Sequence, residues 1–268
     1  MRLTILGSGT SGGVPQIACR CATCVSRDPR DHRFRTSALV EHAGTAILLD
    51  CGPDFREQML ALQRFPHIDA IFITHEHFDH VGGIDDIRPG ILFGDITIYA
   101  EKVVIDDLMQ RIPYCFTPPE RRYPGVPAIT LSKIEPHVAV KIGSLIVTPI
   151  RVMHGKLPIV GFRIEVVGSN AGASDGNIST LAYITDMKSM PDTEWAYLND
   201  VDTLVVNALH YRPHPTHQTV DDAIDFARRV GACQTFFVHM SHFVLPHDEA
   251  EAQLPPDMHF AYDGLVVE

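Results

Sequence analysis

Long apolar runs are missing from this 268-residue chain. No stretch approaches the ~20 residues needed to cross a bilayer, so no membrane partner is expected. Cations are also scarce: 22 lysines and arginines stand against 33 aspartates and glutamates, a formal net charge of −11. That balance argues against a protein that grips nucleic acid through a broad basic face. It still allows a small anionic substrate, because bound cations reverse the sign of a site locally. The opening "MRLTILGSGT" lacks the charged start, long apolar core and cleavage site of a secretory signal, and a cytoplasmic location is expected. The single tryptophan, Trp195, reads as packing. Cysteines number six, and three of them fall within "CRCATC". In a cytosolic chain such a cluster points to a metal before a disulfide framework. Cys51, Cys115 and Cys233 read as buried apolar fillers.

The length suits one large α/β domain, taken as residues 1–268. Short β-like runs recur between turn residues: "RLTIL" (2–6), "TAILLD" (45–50), "AIFIT" (70–74), "ITIYA" (96–100), "LIVTPIRVM" (145–153), "VGFRIEVV" (160–167), "TLAYIT" (180–185), "TLVVN" (203–207) and "TFFVH" (235–239). Helical signals are fewer. "FREQMLALQ" (55–63) is one. The best is "TVDDAIDFARRVGA" (219–232), with Thr219 as N-cap, Asp222 three residues on, and Gly231 as the stop. Many strands with interspersed helices imply a layered α/β architecture. "GSNAGASDGN" (168–177) reads as a hairpin loop. "RIPYCFTPPERRYPGVPA" (111–128), with its five prolines, reads as a stiff surface excursion, either a lid or a structural loop.

The chemistry concentrates in "THEHFDH", residues 74–80. In a helix, side chains two apart diverge by about 200°. In an extended segment they share a side. His75 and His77 can therefore meet one ion only from an extended loop, with helix beginning near Asp79. The H-E-x-x-H pattern of zinc proteases fails, since Asp79 occupies the second histidine position. Four β-like runs end on metal-binding residue types: "AIFIT" at His75, "IRVM" at His154, "LAYIT" at Asp186 and "TFFV" at His239. Strand ends build the cleft in α/β proteins. Mixed imidazole and carboxylate donors suit zinc, manganese or iron, and seven ligands suit two ions. A competing motif, Gly7-Ser8-Gly9-Thr10-Ser11-Gly12, fits G-x-G-x-x-G. Pro15 and the cysteine loop follow it where a dinucleotide site needs a helix, so a tight turn at the site's edge is the better reading.

"THEHFDHVGG" resembles the T-H-x-H-x-D-H motif of the metallo-β-lactamase-fold hydrolases, and the similarity runs from "RLTILGSGTSGG" to "YDGLVVE". The resemblance implies an αβ/βα four-layer sandwich, with two mixed sheets face to face and helices outside. It implies that His75, His77 and His154 hold one ion, that Asp79, His80 and His239 hold the other, and that Asp186 bridges them. Asp50, ending "TAILLD", would orient a ligand histidine from beneath. Three thiolates at C-x-C-x₂-C give three corners of a tetrahedron, and His242 is the candidate fourth ligand. That loop, with "HMSH" near the end, resembles the PhnP-like cyclic phosphodiesterases, which implies a structural zinc on Cys19, Cys21, Cys24 and His242. "LHYRPHPTHQT" (209–219) resembles the family region that places a histidine over the substrate, here His217. The segments 111–128 and 168–177 depart from the pattern and leave the substrate open.

The expected activity is hydrolysis of a small cyclic phosphate ester of the phosphoribosyl 1,2-cyclic type. Two divalent ions (Zn or Mn) would share a hydroxide that attacks phosphorus. His217 would protonate the leaving oxygen or bind phosphate, and Asp79 would act as ligand or base. His210 and His214 carry no assigned role. Arg121, Arg122 and Arg212 read as ordinary exposed cations. A homodimer is left open. The alternatives are a thioester or lactone hydrolase of the same fold, an RNA-processing nuclease, and a non-catalytic protein that binds a small molecule or cofactor intermediate.

Overall fold

A computed structural model describes residues 1–62, 66–93, 95–168 and 178–268. All but Gly168 of the hairpin loop expected at 168–177 therefore lies outside the described residues. In chain order the strands are β1 Arg2–Gly7, β2 Ser37–His42, β3 Thr45–Leu49, β4 Ala70–Phe72, β5 Ile96–Ala100, β6 Ile129–Lys133, β7 Val140–Ile142, β8 Leu145–His154, β9 Leu157–Val166, β10 Thr180–Ile184, β11 Thr203–Asn207, β12 Gln234–Val238, β13 Met258–Phe260 and β14 Val266–Val267. The α-helices are α1 Phe55–Ala61, α2 Phe78–Val81, α3 Lys102–Arg111, α4 Val220–Val230 and α5 His247–Glu251.

The strands form two seven-stranded sheets, ordered β14-β1-β2-β3-β4-β5-β6 and β13-β12-β11-β10-β9-β8-β7. Each sheet is antiparallel in one half and parallel in the other. In the first, β1, β2 and β3 pair antiparallel and β3 through β6 pair parallel. In the second, β7 through β10 are antiparallel and β10 through β13 parallel.

The alternation within β3 explains the layering. Ile47 and Leu49 pack between the sheets with Leu3, Val40, Phe72, Phe162, Tyr183, Val205 and Val238. Ala46 and Leu48 point the other way, into the layer shared with Phe55 and Met59 of α1 and Val104 and Leu108 of α3. The second sheet does the same: Ala182, Ile184, Leu204 and Val206 meet Ala223, Phe226 and Ala227 of α4. Strands buried on both faces read as continuous apolar runs, which is why these segments were visible in the sequence. The result is the expected αβ/βα sandwich. Phe72 joins the sheets, with its ring edge-on to Phe162 at 5.5 Å and stacked on Tyr99 at 4.8 Å.

Helix α4 starts and stops where its sequence says. Thr219 and Asp222 form a reciprocal capping box, and Gly231 ends the helix at φ 71°. One cysteine departs from expectation. Cys51 and Cys115 are buried, but Cys233 is exposed, because it follows the αL stop of α4 in the turn before β12. The excursion 111–128 forms two short 3₁₀ turns, Pro113–Phe116 and Pro119–Arg121. It is tied to the "HEHFDH" side of the molecule: Arg111 Nη1 donates to the Glu76 carbonyl, and Arg88 Nη1 donates to that of Gly125. No helix among the described residues is long and apolar enough to cross a membrane.

Candidate metal centre

Strand ends from both sheets converge at one edge of the sandwich. His75 follows β4, Asp50 follows β3, Asp186 follows β10, His239 follows β12, and His154 closes β8. Three of these residues sit in the left-handed region: Asp50 at φ 59°, Asp186 at 58° and His239 at 57°. Non-glycine residues there cost of order 1–3 kcal/mol and persist where the surroundings over-determine them. Here the twist turns each side chain off its strand and into the cleft. His77 is extended, at φ −63° and ψ 145°, and α2 begins at Phe78. The extended-then-helical geometry expected for "HEHFDH" is thus present.

Asp186 sits at the centre. Its Oδ1 lies 3.0 Å from His239 Nδ1 and 3.3 Å from His80 Nε2. Its Oδ2 lies 3.2 Å from His217 Nε2 and 3.9 Å from His75 Nε2. His75 Nε2 is 3.0 Å from His77 Nδ1, and the His77 and His154 rings are 5.1 Å apart. All seven expected ligands therefore share one pocket, with His77 on its exposed side. Two sets offer donor atoms mutually within 4.8 Å: Asp79, His80, Asp186 and His239, and His154, Asp186 and His217. The second set adds His217, expected over the substrate, to two of the expected ligands.

Each histidine is oriented by what its other nitrogen touches. His80 Nδ1 donates to Asp50 Oδ2 at 2.8 Å. His154 Nδ1 donates to the carbonyls of Asp186 (2.8 Å) and Thr216 (3.1 Å). Thr74 Oγ1 donates to Asp50 and so accepts from His75 Nδ1 at 2.9 Å. In all three Nε2 is the nitrogen that faces the cleft. Thr74, Thr216 and Thr36, whose hydroxyl lies 3.1 Å from His239 Nδ1, were not singled out from sequence. Thr74 had a signal, since it opens the motif. The other two had none, because threonine at a strand end or in a loop is ordinary.

Whether the pocket fits a cation is decided by His80. Its Nε2 is buried without a hydrogen-bond partner, although carboxylate oxygens of Asp79 and Asp186 each lie 3.3 Å away. A buried imidazole nitrogen with no well-formed hydrogen bond, facing two carboxylates, fits a site where a metal ion takes the place of the imidazole proton. The electrostatics agree. Burial opposes charge on Asp186, yet the charge of His80 beside it and the hydrogen bond from His217 hold its carboxyl well below the usual range. Burial pushes His75 and His154 down, and His239 down to about 3, which leaves these imidazoles neutral.

A second donor set lies between the N-terminal loop and the loop after β12. Cys19, Cys21, Cys24 and His242 offer atoms mutually within 4.8 Å. His242 Nδ1 is 3.2 Å from Cys19 Sγ and 3.5 Å from Cys21 Sγ. Backbone N–H groups of Gln16 and Cys21 point at Cys24 and Cys19 sulfurs, which favours thiolates. Thr23 Oγ1 donates to the Val244 carbonyl at 2.7 Å and closes the two loops on each other.

Two facing mixed sheets with a His/Asp cluster at the strand ends, and a Cys₃His cluster beside it, define a metal-binding αβ/βα sandwich. The chain belongs to the metallo-β-lactamase superfamily: a family model described as a beta-lactamase superfamily domain matches residues 45–240. A crystal structure of a diphosphatase from the PhnP family superposes with a TM-score of 0.85 at 36% identity, covering 100% of this chain and 97% of that one. Zn(2+)-bound PqqB from Methylobacterium extorquens shares the fold at a TM-score of 0.78 and 22% identity, with both chains covered at 100%. Among curated relatives, a protein named octanoyltransferase from Porphyromonas gingivalis is 41% identical over 267 residues, 99% of this chain but 51% of its own length. The chain thus spans about half of that relative.

Proposed function

We propose that the chain is a dinuclear metal-dependent phosphodiesterase acting on a small cyclic phosphate ester. The observation that carries this reading is the convergence on Asp186, with the His80 nitrogen left unpartnered beside it. The 36% identity with a PhnP-family diphosphatase across nearly the whole of both chains supports phosphorus as the centre attacked. His75, His77 and His154 would hold one ion and Asp79, His80 and His239 the other, with Asp186 between them. Bound ions in such a pair supply a nucleophile from water near neutral pH and neutralise charge on the phosphoryl oxygens.

The chain's own residues do the rest. Asp50 and Thr74 fix the imidazoles. Asp79, which is largely buried, faces the same space and serves as ligand or base. His217 presents Nε2 beside Asp186 at 3.2 Å, where it can hand a proton to the departing oxygen or bind phosphate. Cys19, Cys21, Cys24 and His242 would hold a structural zinc that ties loop to loop. The net charge of −11 makes a small anion drawn to the ions a better partner than a nucleic acid.

Thioester hydrolysis is the second reading. It rests on the 41% identity with half of a protein named for octanoyl transfer. The test is to measure metal per chain and then assay cyclic phosphates, linear phosphodiesters, thioesters and lactones. Three ions per chain with turnover of diesters alone supports the first reading, and turnover of thioesters without diesters replaces it with the second.

A further inference from the structure

The loop "HPTH", residues 214–217, holds His217 through a closed set of contacts. Thr216 N–H donates to His214 Nδ1 at 3.4 Å. That nitrogen is therefore an acceptor, and His214 carries its proton on Nε2. His217 Nδ1 lies 3.2 Å from the same nitrogen and 2.9 Å from Thr216 Oγ1. Thr216 Oγ1 lies 3.2 Å from His214 Nδ1. A proton handed on from Nε2 requires His217 protonated on both ring nitrogens, with Nε2–H towards Asp186, and in that form one arrangement satisfies all three atoms. His217 Nδ1–H donates to Thr216 Oγ1, and the Thr216 hydroxyl donates to His214 Nδ1. The only ring nitrogen of His217 left to face the cleft is then Nε2, the one beside Asp186.

Thr216 serves the site twice, because its carbonyl also accepts from His154 Nδ1. The turn after His154 is shaped to admit it. Gly155 adopts φ +62°, and a Cβ there would come within 2.9 Å of Thr216 Cγ2. His214 is half-buried and His217 buried, with ring centroids 5.0 Å apart.

From this geometry we infer that Thr216 and His214 are positioning residues: they lock the His217 ring so that Nε2 meets the leaving group. The inference rests on the phosphodiesterase reading for its kinetic consequence, but not for its structural content.

Two measurements on the zinc-loaded protein test it. In the first, Thr216→Val and His214→Ala should each lower kcat about tenfold for a diester with an alkoxide leaving group, part of the 10²–10⁴-fold that a placed general acid supplies. The same variants should change kcat less than about twofold for a nitrophenyl diester, which needs no proton, with KM and metal content unchanged. Thr216→Ser and His214→Gln, which restore a hydroxyl and an acceptor, should recover most of the loss. Equal loss on both substrates, or loss of metal, would mean a merely structural role, and unchanged kinetics would mean none. The second measurement is ¹⁵N NMR of the histidine rings. An unprotonated His214 Nδ1 facing a protonated His217 Nδ1 is expected, and the opposite tautomer at His214 overturns the inference. If the wild-type protein cleaves no diester, the phosphodiesterase reading falls, and the NMR result still decides the positioning.

Discussion

Asp50 holds two metal-site histidines at once. Its Oδ2 accepts from His80 Nδ1 at 2.8 Å, and through the Thr74 hydroxyl, 3.0 Å from Oδ1, it also fixes His75. The carboxylate is fully buried, and its αL backbone at the end of β3 is what aims it. Burial pushes its pKa up, while the His80 charge and the hydrogen bonds oppose the rise. Asp50→Asn keeps the shape but removes the charge, and it can offer an N–H where His80 needs an acceptor. Partners of this kind are typically worth 10–100-fold in metal affinity. Competition with a graded chelator series should show a loss of that size at the His/Asp site, with the Cys₃His metal retained.

Metal uptake should be linked to pH through His80. Burial pulls His80 down, but Asp186, Asp50 and Asp79 more than offset it and hold the imidazole well above its usual 6.5. His75, His154 and His239 are already neutral at pH 7. Loading the site near neutrality should therefore expel about one proton, and affinity should rise with pH. Calorimetry in two buffers of different ionisation enthalpy, with the Cys₃His site filled beforehand, reads that number. Without metal in the His/Asp site, the raised His80 contributes stability in full below pH 6.5, and this is lost as pH climbs through its folded value. The depressed Asp186 contributes above its usual 3.8 and is lost as pH falls further. The buried imidazoles of His75, His154 and His239 oppose folding below about pH 6.5, because the unfolded chain can protonate them, so stability rises with pH up to neutrality. The melting temperature of this form should therefore be highest near neutrality and fall as pH climbs through the folded value of His80, and a monotonic rise towards pH 9 would contradict this.

The Cys₃His cluster joins residues 16–25 to residues 242–244, more than 200 positions away in sequence. Burial pushes the Cys24 thiol up to about 11, so a thiolate there needs a bound cation. Cys24→Ser should remove one metal per chain and lower Tm. A loss of about 3 kcal/mol would correspond to roughly 6–12 °C. Activity per filled His/Asp site should persist, because none of the four side chains lies in that pocket. Metal analysis, calorimetry and turnover on the same preparation check all three.

Much of the centre was legible because its physics is local. Period-two geometry required an extended His75–His77 and a helix after it, and α2 begins at Phe78. Strands buried on both faces announced themselves as apolar runs, and their last residues gave His154, Asp186 and His239. What escaped notice lacked such a signal. Edge strand β6 buries only Ile129, and β7, β13 and β14 span two or three residues each. Strand β2 mixes Ser37, Glu41 and His42 with its apolar residues, and helix α3 buries only Val104 and Leu108. The threonines that orient the imidazoles act through single hydroxyls or carbonyls brought close only by the fold, and no spacing rule marks them. Identifying Asp79 as ligand or base lies on the chemical side of the same boundary, since its position serves both roles.

Backbone crowding beneath the metal loop gives a last prediction. Gly52, two residues after Asp50, lies against α2: a Cβ there would sit 2.2 Å from the Asp79 carbonyl oxygen. Backbone atoms cannot swing aside as a side-chain tip can, so Gly52→Ala must push the strand end and the "FDH" turn apart. The hydrogen bonds between Cys51 N and His80 O and between Gly83 N and Cys51 O span that contact and would stretch with it. Overpacking of this kind typically costs about 1–3 kcal/mol, and the displacement falls directly on Asp79 and His80. Gly52→Ala should therefore lower both Tm and affinity at the His/Asp site. Gly44→Ala, where a Cβ would meet nothing within 4 Å but φ is +81°, should lower Tm through strain in the β2–β3 turn and leave metal content intact. Thermal melts with metal analysis on the two variants check this. Equal metal retention in the pair would show that the contact under Asp79 does not hold the centre in place.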